Sequence, residues 1–303
     1  MAVRARRNPP RSEHKFSNIT DYREQKMYNV EDINIYDSKI TISKDNVVNI
    51  ICELQSLNDQ EHQLIKSLIQ TYRKLSLHNM NDDLINEDDG AFALITLFKL
   101  YEESKEYITH LYLNFDDVIY GSLNLNNLDV GLELLSITAD DRGNTLGLKG
   151  FENYPPALKT LIINYPGKYN ICPEKFNYGL ETLVLENVKD IPQLCNLPPT
   201  VKNLVIEFHQ ESDSQGDINF NNRDFRNDFA NVPNSLENLV YYVQGYITNI
   251  DFTILPKTMK TIDINCRGID NADNIKKNYK KMEEELKQHA PECLLVYIYR
   301  ITY

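Results

Sequence analysis

Aliphatic residues recur along this chain in a fixed hexad, φ-x-x-φ-x-φ. The clearest copies are LKTLII from 158, LETLVL from 180, VKNLVI from 201, LENLVY from 236 and MKTIDI from 259. LELLSI from 132 and ITHLYL from 108 come before them, and YRKLSL from 72 and VEDINI from 30 are looser copies. The last two φ positions are two residues apart, so a β-strand turns both to one side and the residue between them to the other. The first φ turns inward just before the strand begins. One such unit is too small to bury its apolar edge alone. Stacked units close a continuous core, and their short strands pair in parallel.

The hexads starting at 158, 180 and 201 follow one another at 22 and 21 residues, and those at 236 and 259 at 23. This spacing, with these hexads, resembles the leucine-rich-repeat family, whose period is about 20–29 residues. The resemblance covers 108–265 well and 30–107 poorly. Proline precedes the hexad in YPPAL, LPPTV, VPNSL and LPKTM. Its fixed φ and missing N–H suit a turn entering a strand. In this the chain resembles the short repeats of bacterial effectors and the FNIP-type repeats of amoebae and large viruses. It departs from the family in having no recurrent asparagine past the strand. The step from 201 to 236 is 35 residues, and ESDSQGDINFNNRDFRND (211–228) supplies the excess, read as a polar excursion with a short capped turn near Asn222. No Cys-x-Asp site of an effector ubiquitin ligase is present.

The ends read differently. DNVVNIICEL (45–54) is expected to be helical, capped by Asp45, with Val48, Ile51 and Cys52 on one face. DQEHQLIKSLIQTYRKL follows, with Leu64, Leu68, Ile69 and Tyr72 in register, and 89–105 reads as a third helix capped by Asp88 or Asp89. A degenerate F-box over 44–75 is a weaker alternative. At the other end, 271–290 sets Ile275, Tyr279, Met282 and Leu286 on one stripe, with Asn271 or Asp273 as cap and Glu283–Lys287 as an i,i+4 pair. Pro291 ends it and CLLVYIYRITY reads as a buried strand. The expected fold is one α/β leucine-rich-repeat solenoid with parallel strands on the concave face. It divides into a basic arm (1–28), irregular helical repeats or an N-terminal cap (29–107), short repeats (108–270) and a helix–strand C-terminal cap (271–303).

Composition narrows the function. Hydrophobic residues make up 42% of 303, enough for a core. Mean hydropathy is −0.46, and no apolar run approaches the length of a membrane helix. The net charge of −12 does not suit a body that binds phosphate backbones. The first fifteen residues run the other way, with Arg4, Arg6, Arg7, Arg11 and Lys15 against Glu13. They form either a solvated arm or a tether to an acidic partner, nucleic acid or a transport receptor. Five scattered cysteines without a C-x-x-C pair suit a reducing, intracellular compartment. None of the metalloprotease, serine-hydrolase, P-loop or dinucleotide motifs occurs. The six histidines never fall at i,i+3 or i,i+4. The acidic pairs Asp82–Asp83, Asp88–Asp89, Asp116–Asp117 and Asp140–Asp141 sit in expected loops or caps. No catalytic residue, cofactor or metal site follows.

The outward letters of the strands carry the sharper expectation. The middle outward position reads Tyr112, Ser136, Ile162, Val184, Val205, Val240 and Asp263. Ile162, Val184, Val205 and Val240 would stand about 4.8 Å apart as an apolar ribbon. Thr160, Thr182, Asn203 and Asn238 border it on one side, and Asn164, Glu186, Glu207 and Tyr242 on the other. An apolar stripe with a polar rim is the anatomy of a protein interface. β-Propensity alone would also place β-branched residues there, and the 211–228 excursion or the arm could cover them. The expected function is a non-enzymatic module that binds a protein on its concave face. The alternative is a structural or assembly protein, of a virus particle for instance, tethered through its basic arm.

Overall fold

The computed structural model describes residues 33–36, 40–52, 59–79, 101–115, 120–124, 128–139, 145–149, 154–164, 176, 178–188, 194–208, 223–243, 247–248, 250–267 and 272–300. Sixteen strands lie among them: β1 (Ile33–Tyr36), β2 (Ile40–Ile42), β3 (Val48–Cys52), β4 (Lys74–Asn79), β5 (His110–Phe115), β6 (Tyr120–Asn124), β7 (Leu134–Ala139), β8 (Thr145–Lys149), β9 (Thr160–Asn164), β10 (Thr182–Val188), β11 (Asn203–Phe208), β12 (Arg223–Asp224), β13 (Asn238–Val243), β14 (Ile247–Thr248), β15 (Thr261–Arg267) and β16 (Leu294–Arg300). Three α-helices with both ends described accompany them, α1 (Asp59–Tyr72), α2 (Phe225–Asp228) and α3 (Ala272–His289), and residues 101–104 are helical as well.

One twelve-stranded sheet organises the chain, in the order β1-β2-β3-β4-β5-β7-β9-β10-β11-β13-β15-β16. The ten strands from β3 onward are parallel, and the fold is α/β with few helices. The expected strands of the hexads at 72, 108, 132, 158, 180, 201, 236 and 259 are all in this run. Leu161, Leu183, Leu204, Leu239 and Ile262 pair in unbroken register, and Ile163, Leu185, Ile206, Tyr241 and Ile264 form the second inward row. Both rows are fully buried in one core with Leu75, Leu111 and Leu135.

The prolines do the work expected of them. Leu158, Val201, Leu236 and Met259 each donate their N–H to the carbonyl of Pro155, Pro198, Pro233 and Pro256, at 3.1–3.2 Å. The same turn therefore feeds four strands. At the strand entry one carbonyl accepts two N–H groups of the next unit: Lys159 O from Glu181 and Thr182, Glu181 O from Lys202 and Asn203, Glu237 O from Lys260 and Thr261. This satisfies backbone groups that a strand beginning inside a core would otherwise bury unpaired.

Several expectations are corrected. Residues 48–52 are a strand, not a helix: Asp45 is no cap but sits in the turn of an antiparallel hairpin between β2 and β3, with Asn46 at φ 61°. Val47, Val48, Ile50 and Ile51 form a β-branched run, and that preference outweighs a coincidental helical spacing. The first helix that an F-box would need is therefore absent at 48–52. The copy at 30 also fails as a repeat, because β1 pairs antiparallel to β2, with an irregular register between Asn34 and Tyr36. The helix from 59 holds, with Ile65 and Ile69 at 0% exposure and Leu64, Leu68 and Tyr72 packed beside them. Of the expected helix 89–105, residues 101–104 are helical and Lys105–Tyr107 continue as a 3₁₀ turn; its start, with Asp88 and Asp89, lies outside the described residues.

The stretch 211–228 is not wholly a polar excursion. Asp224 caps α2 by accepting from Asn227 N–H at 3.2 Å, two residues past the expected site. α2 then turns Phe225 and Phe229 into the core, both at 0% exposure. They meet each other and Tyr241, Phe225 also meets Phe252, and Phe208 meets Tyr241, with ring centroids 4.7–5.9 Å apart. Tyr241 stands where the neighbouring units carry isoleucine or leucine. Its hydroxyl donates to Asp228, which also takes Arg223 at 2.9 and 3.2 Å. The 35-residue step thus supplies the room and the polar partner that a buried tyrosine needs.

The C-terminal helix and strand form as expected, but the strand is not wholly buried: Leu295 is buried and Leu294 is 41% exposed. Met282 and Leu286 are buried, Lys287 reaches Glu283 at 2.7 Å, and β16 pairs parallel to β15 over seven residues. Ile275, Tyr279 and the cap residues lie outside the side chains described.

Candidate functional site

The face of the sheet opposite the core carries every described residue expected to meet a partner. Ile162, Val184, Val205 and Val240 stand on β9, β10, β11 and β13 in one in-register row, and Asp263 continues it on β15. They form a second apolar cluster, separate from the main core, with Tyr242 packed against it. Tyr112 lies in the same row two strands away, with Ser136 between it and Ile162.

The row is not the exposed ribbon that its letters suggest. Ile162, Val184, Val205 and Val240 are only 8%, 4%, 2% and 6% exposed. Ser76 and Ser136, further along, are buried as well. Accessible area remains on Tyr112, Glu186, Glu207, Tyr242 and Asp263, all half-buried.

The bordering columns are more ordered than the sequence reading anticipated. On one side a hydrogen-bonded ladder runs across four strands. Asn203 Nδ2 donates to Thr182 Oγ1 at 3.0 Å, Asn238 Nδ2 to Asn203 Oδ1 at 2.8 Å, and Thr261 Oγ1 to Asn238 Oδ1 at 2.6 Å. The signal was the recurrent Thr or Asn at the third hexad letter. On the other side Asn164 Nδ2 donates to Glu186 Oε2 at 2.8 Å, and Asn187 donates to Asn164. Glu186 and Glu207 are not the neighbours expected: the register between β10 and β11 shifts after Leu185, where Asn187 takes φ 58°. Glu207 and Tyr242 do pair, and the Tyr242 hydroxyl lies 3.4 Å from Asp263 Oδ2.

Below the polar ladder the second hexad letter alternates in charge: Glu133, Lys159, Glu181, Lys202, Glu237, Lys260. Ion pairs join Lys159 to Glu133 at 2.9 Å, Lys202 to Glu181 at 3.2 Å and Lys260 to Glu237 at 2.6 Å. These are exposed pairs, so each adds little stability. Like charges brought opposite one another by a slipped pairing would oppose the wrong stacking.

His110 begins β5 half-buried. Burial, and then Lys74 nearby, hold its imidazole below the usual histidine range. Among the described residues no group of three His, Cys, Asp or Glu could hold a metal ion, and no helix is long and apolar enough to cross a membrane. Arg4, Arg6, Arg7 and Arg11, and the four acidic pairs, lie outside the described residues. No family model, no curated protein and no solved structure matches this chain.

Proposed function

We propose that the chain is a leucine-rich-repeat solenoid that acts as a non-enzymatic protein-interaction module, docking a partner on the face of the sheet opposite the core. Supporting this is the regularity of that face. Outward side chains come at one per strand in columns that are straight apart from the shift after Leu185, while the inward letters are aliphatic except at Tyr241. Such a grid presents varied polar letters on a rigid backing. The mechanism departs from the ribbon model in one respect. Side chains 2–8% exposed have little contact area to offer. Ile162, Val184, Val205 and Val240 therefore serve as the packed base that fixes their neighbours. Tyr112, Glu186, Glu207 and Tyr242 make the contacts, and the acidic letters select a partner with basic groups.

Two double substitutions separate these roles. Glu186→Lys with Glu207→Lys leaves the melting curve within a few degrees of the parent and lowers capture of the partner from a cell lysate by tenfold or more, about 1.4 kcal/mol. Val184→Asp with Val205→Asp buries two carboxylates and unfolds the chain, seen as loss of the cooperative melt. Undiminished capture by the lysine pair removes this face as the docking site. A folded aspartate pair shows that the row is open.

A further inference from the structure

We propose that the chain forms a weak two-fold symmetric dimer through the rim of tight turns that lead into β7, β9, β10 and β11. Each turn places one residue at its outer corner, two positions ahead of the hexad. Leu132, Leu158 and Val201 close the turn by donating their N–H to the carbonyls of Asp129, Pro155 and Pro198, at 3.1–3.2 Å. Tyr178 and Gly179 make the corresponding turn ahead of Leu180. The corner residues of these four consecutive units are Val130, Pro156, Tyr178 and Pro199, and all four are exposed. Val130 at 69% and Tyr178 at 78% are the most exposed large hydrophobic residues among those described. The next two corners are Asn234 and Lys257, so the apolar run ends at Pro199. Strand spacing sets the corners about 4.8 Å apart, which makes them one continuous apolar edge. An exposed apolar strip of this kind marks an interaction surface.

The charges beside the strip identify its occupant as a second copy. Three residues on from each corner stand Glu133, Lys159, Glu181 and Lys202, alternating in sign. Their side chains are 41–57% exposed, so they can meet a second molecule while keeping their neighbours in the chain. An alternating row of four is its own complement when reversed. A second copy, turned end over end about an axis between β9 and β10, sets Glu133 opposite Lys202 and Lys159 opposite Glu181, twice each. The same operation stacks Pro156 on Tyr178 and Val130 on Pro199, twice each. Proline against an aromatic face is favourable packing, as in aromatic-lined grooves that take proline-rich ligands. Sliding the copy by one unit opposes like charges, and so does a two-fold axis along the row. Pairing is isologous and closes at two copies. Two rows of four side chains fall short of the about 20–30 residues a side of a standard interface, so dissociation is expected at about 10–100 µM.

The alternation also supplies a test of register. Sedimentation equilibrium of the full chain, from about 5 to about 500 µM in about 0.15 M salt to screen the net charge, should rise from 35.3 kDa toward twice that mass. Lys159→Glu alone, or Glu181→Lys alone, sets like charges at both symmetric contacts and should weaken association about tenfold or more. Mixed in equal amounts, the two variants restore both opposite-charge contacts and should pair as tightly as the parent. Tyr178→Ser removes the ring at two contacts and should also weaken the dimer about tenfold. All three positions are exposed, and matched melting curves check that each variant folds. A parent chain that stays monomeric at the highest loading overturns the proposal. So does a dimer that Tyr178→Ser or the single charge variants leave intact, and so does a mixture that associates no better than either variant alone.

Discussion

Tyr241 shows how one letter reshapes a unit. Its ring fills the inward row, and its hydroxyl would be an unsatisfied buried donor without Asp228. Asp228 in turn holds Arg223, whose guanidinium lies 4.3 Å over the Phe208 ring. Burial raises the Tyr241 phenol, with Asp228 reinforcing it. Burial alone would lower Arg223, and the Asp228 carboxylate more than offsets that. Tyr241→Phe removes a bond to a charged acceptor and should cost about 1.5–3 kcal/mol in a urea titration. Asp228→Ala should cost more, because Arg223 is left half-buried without its carboxylate; a smaller loss would mean that Arg223 finds water. Tyr101 offers a pH test. Burial pushes its phenol up to about 12, with Asp129 and Glu102 adding to the shift against the bond from Asp129 N–H. An unfolded tyrosine titrates at about 10. From pH 10 to 12 the unfolded chain has lost a proton that the folded chain keeps, so stability falls as pH rises. The slope approaches 1.4 kcal/mol per pH unit, and the contribution is intact below pH 10. Urea midpoints at about pH 9 and about pH 11.5 should fall less in Tyr101→Phe than in the parent; equal falls would sink the assignment.

The element that repeats is a proline turn, a hydroxyl and a strand. Thr200 Oγ1 donates to Leu180 O at 2.8 Å, Ser235 Oγ to Val201 O at 2.7 Å, and Thr258 Oγ1 to Leu236 O at 2.9 Å. Each hydroxyl immediately precedes a hexad and ties it to the first φ residue of the unit before. Thr200→Val keeps the shape and loses the donor, leaving the Leu180 carbonyl unpaired at a buried junction. It should cost about 1 kcal/mol, read as a shift in denaturant midpoint; no shift would mean that the turn holds without the hydroxyl. Much of this element is legible as text. The inward letters at 161, 183, 204, 239 and 262 predict the pairing because a period of two admits a single buried face. The prolines predict the turn because their φ is fixed. What escaped reading is of two kinds. VVNIIC carries apolar letters at both helical and strand spacing, and periodicity over six residues cannot separate the two. The row from Ile162 to Val240 reads as outward, which it is. That it is also inaccessible depends on packing against side chains from several strands, which no single hexad contains. Phe225 and Phe229 were hidden in a stretch whose mean polarity masked them.

At the scale of the molecule, each strand after β5 in the main sheet touches, among the described residues, little beyond the strands of the units before and after it. Such a stack stabilises itself through nearest-neighbour contacts, and no distant part of the chain can replace a lost one. The position of a lesion should then matter as much as its chemistry. Leu204 lies at the centre of the run, between Leu183 and Leu239 on the adjacent strands. Leu204→Ala leaves a cavity that both neighbours line, and should cost about 3–5 kcal/mol. Leu295 belongs to the last strand of the described sheet, where it pairs with Ile262 on β15. Leu295→Ala should cost less, near 2 kcal/mol. The distribution of the loss is the stronger test. Native-state hydrogen exchange of Leu204→Ala should show protection falling first in β10, β11 and β13, while β4 and β5 keep theirs. If every strand loses protection together, the chain unfolds as one cooperative block and nearest-neighbour stacking does not describe it. If the loss stays centred on β11, the units can be altered singly. That separability would let the outward letters vary from strand to strand without endangering the core behind them.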